Sequence, residues 1–166
     1  RNTIIHFFVN GAIAELALLE ALEKEGEPRA RFWDAAMALR DLMKFEFFFA
    51  EKGEFRAEVD AELGLHDPEW EHALSRGRPG LEQLIRRIRP FSAHRVLRPF
   101  LESYRVVADG LARRDAAAPF DEPAFIASSL ALAQQYQLQR RVHSGESVSK
   151  VLFATALRLA RNRKLV

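Results

Sequence analysis

Apolar residues recur at helical spacing along almost the whole chain, and this periodicity constrains the fold more than any other feature. One packing stripe with i, i+4, i+7 and i+11 spacing consists of Phe32, Ala36, Leu39 and Met43. The chain has only 8 glycines and 7 prolines in 166 residues, which is few for the tight turns of a β-sandwich or barrel. The pattern therefore predicts an all-α helical bundle.

The predicted helices fall into three blocks within one helical domain, residues 1–166. A Gly-Glu-Pro link separates the first helix from a second helix that is predicted to reach about Ala50, so the two form an antiparallel hairpin. The blocks are the N-terminal hairpin 1–53, a short mixed middle segment 54–118 and a C-terminal helix pair 119–166. Because the chain has no start methionine, we expect a fragment of a longer protein.

Several residues mark predicted helix boundaries. Gly26 and Gly64 are typical C-terminal stops, and Pro99 either opens or kinks a helix. Polar residues suited to an N-cap precede four predicted helices, namely Asn2, Asp67, Asp121 and Ser144. The arginines of the last turn are favourable beside exposed carbonyls.

The chain lacks the residue patterns of several common kinds of site. It has no cysteine, which excludes disulfides, thiolate metal sites and a cysteine nucleophile. It has no glycine-rich phosphate loop and no His-Glu-x-x-His motif. His66 and His72 are six residues apart and would lie on different faces of one helix, so they are predicted to be surface residues. We predict no catalytic residue, no metal site and no cofactor.

The first half of the first predicted helix is apolar on nearly every side, through Ile4, Ile5, Phe7, Phe8, Val9, Ala12 and Ile13. Such a helix needs more burial than one neighbouring helix provides. Ile4, Phe7 and Phe8 are therefore predicted to contact another domain, a lipid or an apolar ligand. His6 lies among them, and it either stays neutral in the core or forms a hydrogen bond to a ligand or another domain.

Four phenylalanines crowd into residues 45–49, at the predicted end of the second helix. Successive residues of a helix step by about 100°, so these rings cannot all face one core. One or two are predicted to pack inside and the others to face a lipid, an apolar ligand or another domain; ordinary core packing is the alternative. The four residues are Phe45, Phe47, Phe48 and Phe49.

The net charge of +2 is unevenly distributed. Residues 1–62 carry 8 basic and 13 acidic side chains, residues 63–120 carry 10 and 7, and residues 121–166 carry 7 and 3. The basic C-terminal end suits anionic lipid, nucleic acid or an acidic face of a neighbouring domain. Arginines on a solvated surface at helix C-termini are the simpler interpretation.

Three segments stand in the order and spacing of blocks from one known family. They are residues 1–8, with the sequence RNTIIHFF, residues 98–104, with the sequence RPFLESY, and the tail 139–160. Together they resemble the C-terminal region of bacterial membrane-associated glycerol-3-phosphate 1-O-acyltransferases of the PlsB type.

The resemblance implies an enzyme that transfers an acyl group from acyl-CoA or acyl-carrier protein to the sn-1 hydroxyl of glycerol 3-phosphate, in phospholipid synthesis. In that family a His-x-x-x-x-Asp motif supplies the general base, and a Pro-Glu-Gly-Thr-like block binds phosphate. Neither motif occurs in this chain. We therefore expect the chain alone to be inactive. It would be an accessory domain that packs on the acyltransferase core, closes the acyl-chain channel or touches the cytoplasmic side of the cell membrane peripherally.

A free-standing helical regulatory or nucleic-acid-binding module is the alternative. Residues 121–166 have the length of a helix-turn-helix, with a turn at residues 141–144. Near the start of the second helix of that pair Lys150 is the basic residue, and the arginines come only at its far end. We therefore expect no nucleic-acid partner.

Overall fold

The computed structural model describes residues 3–90, 93–115 and 117–166. Over these ranges the chain is helical and contains no strand, which confirms the predicted all-α class. Two 3-10 helices, Thr3–Phe8 and Gly145–Ser147, accompany the α-helices. The α-helices are α1 (Val9–Glu23), α2 (Pro28–Met43), α3 (Lys52–His66), α4 (Trp70–Ser75), α5 (Arg78–Ile88), α6 (Ala93–Val96), α7 (Arg98–Arg113), α8 (Glu122–Leu138) and α9 (Lys150–Asn162).

The chain divides into two compact units, which we call unit 1 (residues 1–97) and unit 2 (residues 98–166). The division falls between α6 and α7, inside the predicted middle segment 54–118. The assignment of residues 1–166 to a single domain stays a prediction.

Unit 1 is built around α1, which packs against α2, α3, α5 and α6. Its most extensive partner is α2, as the predicted antiparallel hairpin requires. The turn between them contains Gly26 at φ +127°, a conformation that favours glycine. The carboxylate of Glu27 then caps α2 by accepting from the backbone N–H groups of Arg29 at 3.0 Å and Ala30 at 2.6 Å. The buried side of α1 consists of Val9, Ala12, Ile13, Ala14, Glu15, Ala17, Leu18 and Ala21.

Several predicted boundaries in unit 1 are wrong. The second helix ends at Met43 and not near Ala50, because the carbonyl of Met43 accepts from the N–H groups of Glu46 and Phe47 and the chain turns there. Gly64 does not end α3, which continues through His66. The first helical segment is a 3-10 helix up to Phe8, and its proposed cap Asn2 lies outside the described residues.

The helix predicted to follow the Asp67 cap begins at Trp70, where α4 starts. Asp67 instead ends α3, and its carboxylate accepts from the N–H of Glu69 at 3.1 Å and from Arg87 at 2.5 Å. The carboxylate thus links α3 to the start of α4 and to α5.

Gly80 lies in the first turns of α5, although residues 76–80 are predicted to form a loop. A Cβ atom at this position would lie 2.0 Å from the carbonyl oxygen of Ala73 in α4. The absence of a side chain at Gly80 therefore permits the close approach of α5 to α4.

Unit 2 is built around α7, which packs against α8, α9 and the 3-10 helix Gly145–Ser147. Pro99 lies in the first turn of α7, which is one of its two predicted positions. The carboxylate of Asp121 caps α8, as predicted, by accepting from Ala124 N–H at 3.1 Å. The cap of α9 is Ser149 and not Ser144, because residues 145–147 form their own 3-10 turn between them.

Candidate functional site

The phenylalanine-rich segment 45–49 is a turn followed by irregular chain and does not continue α2. The helical geometry predicted for these rings, with steps of about 100°, is therefore wrong. The expected division between inward and outward rings nevertheless holds. Phe47 is 7% exposed and Phe48 is 92% exposed, while Phe45 and Phe49 are half-buried.

The inward part of this segment packs edge-to-face. The ring of Phe49 lies 6.4 Å from that of Phe47 and 5.7 Å from that of Phe55 in α3, with interplanar angles of 71° and 90°. Such T-shaped pairs place the positive edge of one ring against the negative face of another. The contacts attach the irregular segment to the core of unit 1 and leave Phe48 outside.

Arg40 in α2 contacts the same segment, and sequence reasoning did not identify this residue. Its guanidinium carbon lies 5.8 Å from the Phe49 ring and 5.7 Å from the Phe55 ring. Its Nη2 atom donates to the carbonyl oxygen of Ala50 at 2.6 Å, and its Nη1 atom donates to Asp41 at 3.0 Å. In the sequence, Arg40 is simply an arginine three residues before the end of an amphipathic helix. Such arginines are common, so the sequence alone does not indicate its role.

An open groove of about 730 Å³ brings together the two apolar clusters that the sequence analysis singled out. Phe7, from the 3-10 helix, lies on one side and is 82% exposed; Phe48 and its neighbours lie on the other. The lining residues are Phe7, Val9, Asn10, Phe47, Phe48, Phe49, Ala50, Glu51, Glu54 and Glu58. Two large exposed rings beside one groove are a typical contact surface.

Three exposed carboxylates give the groove an acidic side. Glu51 precedes α3, and Glu54 and Glu58 follow within that helix. The Asn10 side chain donates to Glu58 Oε2 at 2.9 Å, which fixes the position of that carboxylate beside α1. The groove therefore combines aromatic rings with negative charge.

The remaining predicted contact residues do not all meet in this groove. Phe8 is 52% exposed and lines a separate pocket of about 210 Å³ with residues that include Glu15, Glu62 and His66. Phe45 lies outside both linings. Ile4 and His6 belong to the 3-10 helix, and their side chains lie outside the described part of the chain.

Unit 2 contains a half-buried polar staple, a set of hydrogen bonds from residues 143–147 to Glu102, that sequence reasoning also missed. Both carboxylate oxygens of Glu102 in α7 bind the connection between α8 and α9. Oε1 accepts from His143 N–H at 3.0 Å, while Oε2 accepts from Ser144 N–H at 3.0 Å and from the Ser147 hydroxyl at 2.6 Å. The Ser103 hydroxyl lies 2.7 Å from the carbonyl oxygen of Ser147. The staple thus joins two of the segments that carry the family resemblance.

The surroundings of Glu102 act on its pKa in opposite directions. Burial raises the pKa, since the charged form loses solvation. The hydrogen bonds from Ser147, Ser144 and His143 favour the carboxylate and outweigh burial, so the pKa lies below its ordinary value. Glu102 is therefore ionised, and its carboxylate holds the connecting loop through these hydrogen bonds.

Three other features bear on the predicted classes of function. Across the described ranges, no helix is both long enough and apolar enough to span a bilayer. No three described His, Asp or Glu side chains are grouped as metal ligands would be. The connection between α8 and α9 spans residues 139–149 and includes a 3-10 turn, so it is not the short turn of a helix-turn-helix.

Comparison with known proteins agrees with the three resembling segments. The family described as "Glycerol-3-phosphate acyltransferase C-terminal region" matches residues 1–166. Relatives named "Putative acyltransferase plsB1" from Mycobacterium tuberculosis (strain H37Rv) and Mycobacterium bovis are 42% identical over 169 residues, covering 100% of this chain. The chain spans 27% of the length of these relatives. No solved structure matches the chain. The chain belongs to the glycerol-3-phosphate acyltransferase family and corresponds to the C-terminal region of its members.

Proposed function

We propose that the chain is the accessory helical domain of an enzyme that transfers an acyl group from acyl-CoA or acyl-carrier protein to glycerol 3-phosphate. The acyltransferase core of the same protein is its partner, and the whole enzyme is peripheral at the cytoplasmic side of the membrane. Two facts support the proposal: the chain belongs to the C-terminal region of this family, and it spans 27% of relatives named as acyltransferases. It lacks the His-x-x-x-x-Asp motif expected of the catalytic part.

The groove between Phe7 and Phe48 is the contact surface for the core in this proposal. The observation that carries it is the exposure of the two rings, 82% and 92%, at one groove. Burial of a phenylalanine ring contributes about 1.5–3 kcal/mol. Each of the two exposed rings gains this free energy only when another surface covers it. Aromatic side chains at the centre of a contact commonly contribute most of the binding energy.

The acidic side of the groove favours a protein surface over a membrane as the occupant. The inner leaflet of a bacterial membrane carries anionic lipid, which repels carboxylates close to its surface. Glu51, Glu54 and Glu58 would approach that surface whenever Phe48 inserted. A core surface with apolar residues and basic neighbours complements both the rings and the charge.

The test uses the full-length enzyme with Phe7→Ala, Phe48→Ala and the double substitution. Leu65→Ala is the matched control, because Leu65 is 82% exposed on α3 and does not line the groove. With the core and the C-terminal chain expressed as separate pieces, the double substitution should weaken their association about tenfold or more. Acyl transfer by the intact enzyme should fall with it, whereas Leu65→Ala should change neither.

Two results would contradict the proposal. Equal association of the wild type and the double variant with the core would show that the groove is not part of the contact. Unchanged association combined with loss of binding to anionic vesicles would assign the rings to the membrane instead. Melting curves of each variant show whether a change in association or vesicle binding results from unfolding.

A further inference from the structure

A cluster of arginines surrounds one tyrosine–aspartate pair in unit 2. The Tyr136 hydroxyl donates to Asp109 Oδ2 at 2.7 Å, and Arg113 Nη2 donates to the Tyr136 hydroxyl at 3.0 Å. The guanidinium carbon of Arg141 lies 4.1 Å from the centre of the Tyr136 ring. Arg105 approaches the same Asp109 oxygen from one turn earlier in α7. Two guanidinium groups, those of Arg105 and Arg141, thus approach one carboxylate oxygen, while that of Arg113 binds the tyrosine hydroxyl.

The charges in this cluster are not balanced. Arg105 Nε lies 4.0 Å and Arg141 Nη2 lies 3.9 Å from Asp109 Oδ2, which is beyond hydrogen-bond distance. The oxygen that both approach already accepts the Tyr136 hydroxyl. The cluster therefore has a net charge of +2, and the guanidinium groups of Arg105 and Arg141 are drawn toward an acceptor that satisfies neither of them.

The backbone holds Arg141 in this position. Arg140 has φ +56°, a left-handed conformation that turns the chain back at the end of α8. The N–H groups of Arg141 and Val142 then both approach the carbonyl oxygen of Tyr136, at 2.8 and 3.3 Å. The Arg141 side chain returns over the ring of the same tyrosine. A guanidinium group fixed by stacking is already oriented for binding.

The chemistry of the cluster selects the ligand. A guanidinium group presents parallel N–H donors that match two oxygens of a phosphate, and a pair of such groups can bind one phosphate from two sides. Arg105 and Arg141 flank the same point and are both about half exposed, so a phosphate can reach them from solvent. Asp109 and Tyr136 position the arginines, and the net charge of +2 outweighs the repulsion between the single Asp109 carboxylate and a phosphate.

We propose that Arg105 and Arg141, supported by Arg113, Tyr136 and Asp109, form a phosphate-binding site on unit 2. The phosphate belongs to a soluble phosphate monoester or to a lipid headgroup, which present the same oxygens. The site lies wholly within unit 2 and shares no residue with the groove between Phe7 and Phe48, which we call the aromatic groove. It therefore stands independently of the contact proposed for that groove.

The experiment titrates inorganic phosphate into the full-length protein by calorimetry at constant ionic strength. The wild type is compared with Arg105→Gln, Arg141→Gln and the control Arg163→Gln, which removes an equal charge from an exposed position at the end of α9. We expect Arg105→Gln and Arg141→Gln each to lower phosphate affinity about tenfold and Arg163→Gln to leave it within about twofold. Equal losses in all three variants, or no saturable binding in the wild type, would overturn the site.

A second arm identifies the source of the phosphate. Vesicles of phosphatidylcholine with and without phosphatidic acid are sedimented with the same proteins. Loss of phosphatidic-acid-dependent sedimentation in Arg141→Gln assigns the site to a lipid headgroup, and unchanged sedimentation with weakened phosphate binding assigns it to a soluble monoester. Arg141→Lys keeps the charge without the paired donors, so recovery of full affinity in that variant would contradict the geometry. Melting of Arg105→Gln without phosphate verifies the fold, since that side chain makes the weaker contact with Asp109.

Discussion

Unit 1 carries 14 basic and 17 acidic residues, whereas unit 2 carries 11 basic and 6 acidic residues. The opposite net charges accompany different surfaces. Unit 1 presents exposed rings at an acidic groove, and unit 2 presents arginines around a tyrosine–aspartate pair whose tyrosine is buried. One unit is therefore suited to a surface with apolar and basic groups, and the other to an anion.

The interiors of the two units differ as well. The central helix of unit 1 buries mainly small and branched apolar side chains, whereas α7 of unit 2 directs Glu102 and Ser103 at the loop between α8 and α9. Apolar packing tolerates solvent on one side of a cluster, as at Phe48. A half-buried carboxylate that accepts several hydrogen bonds stabilises the fold only while its partners are present. We therefore expect Phe47 in unit 1 to act through packing and Glu102 in unit 2 to act through hydrogen bonds.

The largest contrast should lie within the phenylalanine segment. Phe47→Ala removes a buried ring and should lower the free energy of unfolding by about 3–5 kcal/mol. Phe48→Ala removes an exposed ring and should change it by less than about 0.5 kcal/mol. Denaturant unfolding of the chain measures both. Equal losses for the two variants would mean that the segment is an ordinary part of the core and that the aromatic groove is not a free surface.

The polar staple of unit 2 should be nearly as sensitive as the buried ring. Glu102→Ala leaves Ser144, Ser147 and His143 without their acceptor. A hydrogen bond to a charged group contributes about 1.5–3 kcal/mol, so the combined loss should be about 3 kcal/mol. A loss below about 1 kcal/mol would show that apolar packing alone fixes the connecting loop, and the contrast between the units would then disappear.

The pH dependence of this loss follows from the lowered pKa of Glu102. Hydrogen bonds lower the pKa in the folded state, so the contribution to stability is present above the unfolded value of about 4.3 and is lost as the pH falls through the folded value. The difference in unfolding free energy between wild type and Glu102→Gln should therefore shrink between pH 5.5 and pH 3. A constant difference over this range would mean that the carboxylate is not specifically stabilised in its charged form.

Periodicity predicts the helical class and the hairpin of α1 and α2, and the capping residue Asp121 predicts the start of α8. These features depend on local sequence, which a single chain displays directly. The end of α2 was mispredicted because apolar residues continue past Met43 and no glycine or proline interrupts them. The meeting of Phe7 with Phe48, and of Glu102 with residues 143–147, depends on tertiary contacts between distant segments. Periodicity contains no information on which faces meet.

Two glycines of unit 1 test the packing side of the comparison without changing charge. Gly80→Ala places a Cβ atom 2.0 Å from the Ala73 carbonyl oxygen, and forcing α5 away from α4 should cost about 1–3 kcal/mol. Gly64→Ala is the matched substitution, because no atom lies within 4 Å of its Cβ position in α3. It should stabilise the chain by about 0.5–1 kcal/mol through helix propensity. Thermal melting should thus move in opposite directions, and a shift of the same sign would contradict the close approach of α4 and α5.

A pair of serine substitutions separates specific hydrogen bonding from mere polarity in unit 2. Ser129 and Ser147 are both buried serines, but only the Ser147 hydroxyl bonds to Glu102, whereas Ser129 Oγ has no partner within the described residues. Ser147→Ala should cost about 1.5–3 kcal/mol, since it removes a donor to a charged group. Ser129→Ala removes an unsatisfied hydroxyl from the α8 interior and should lie between no change and a gain of about 1 kcal/mol. The difference is measured by denaturant unfolding of the two variants side by side. If Ser129→Ala proves as costly as Ser147→Ala, buried polarity in unit 2 acts through packing volume, and the staple at Glu102 is not what distinguishes this unit from the first.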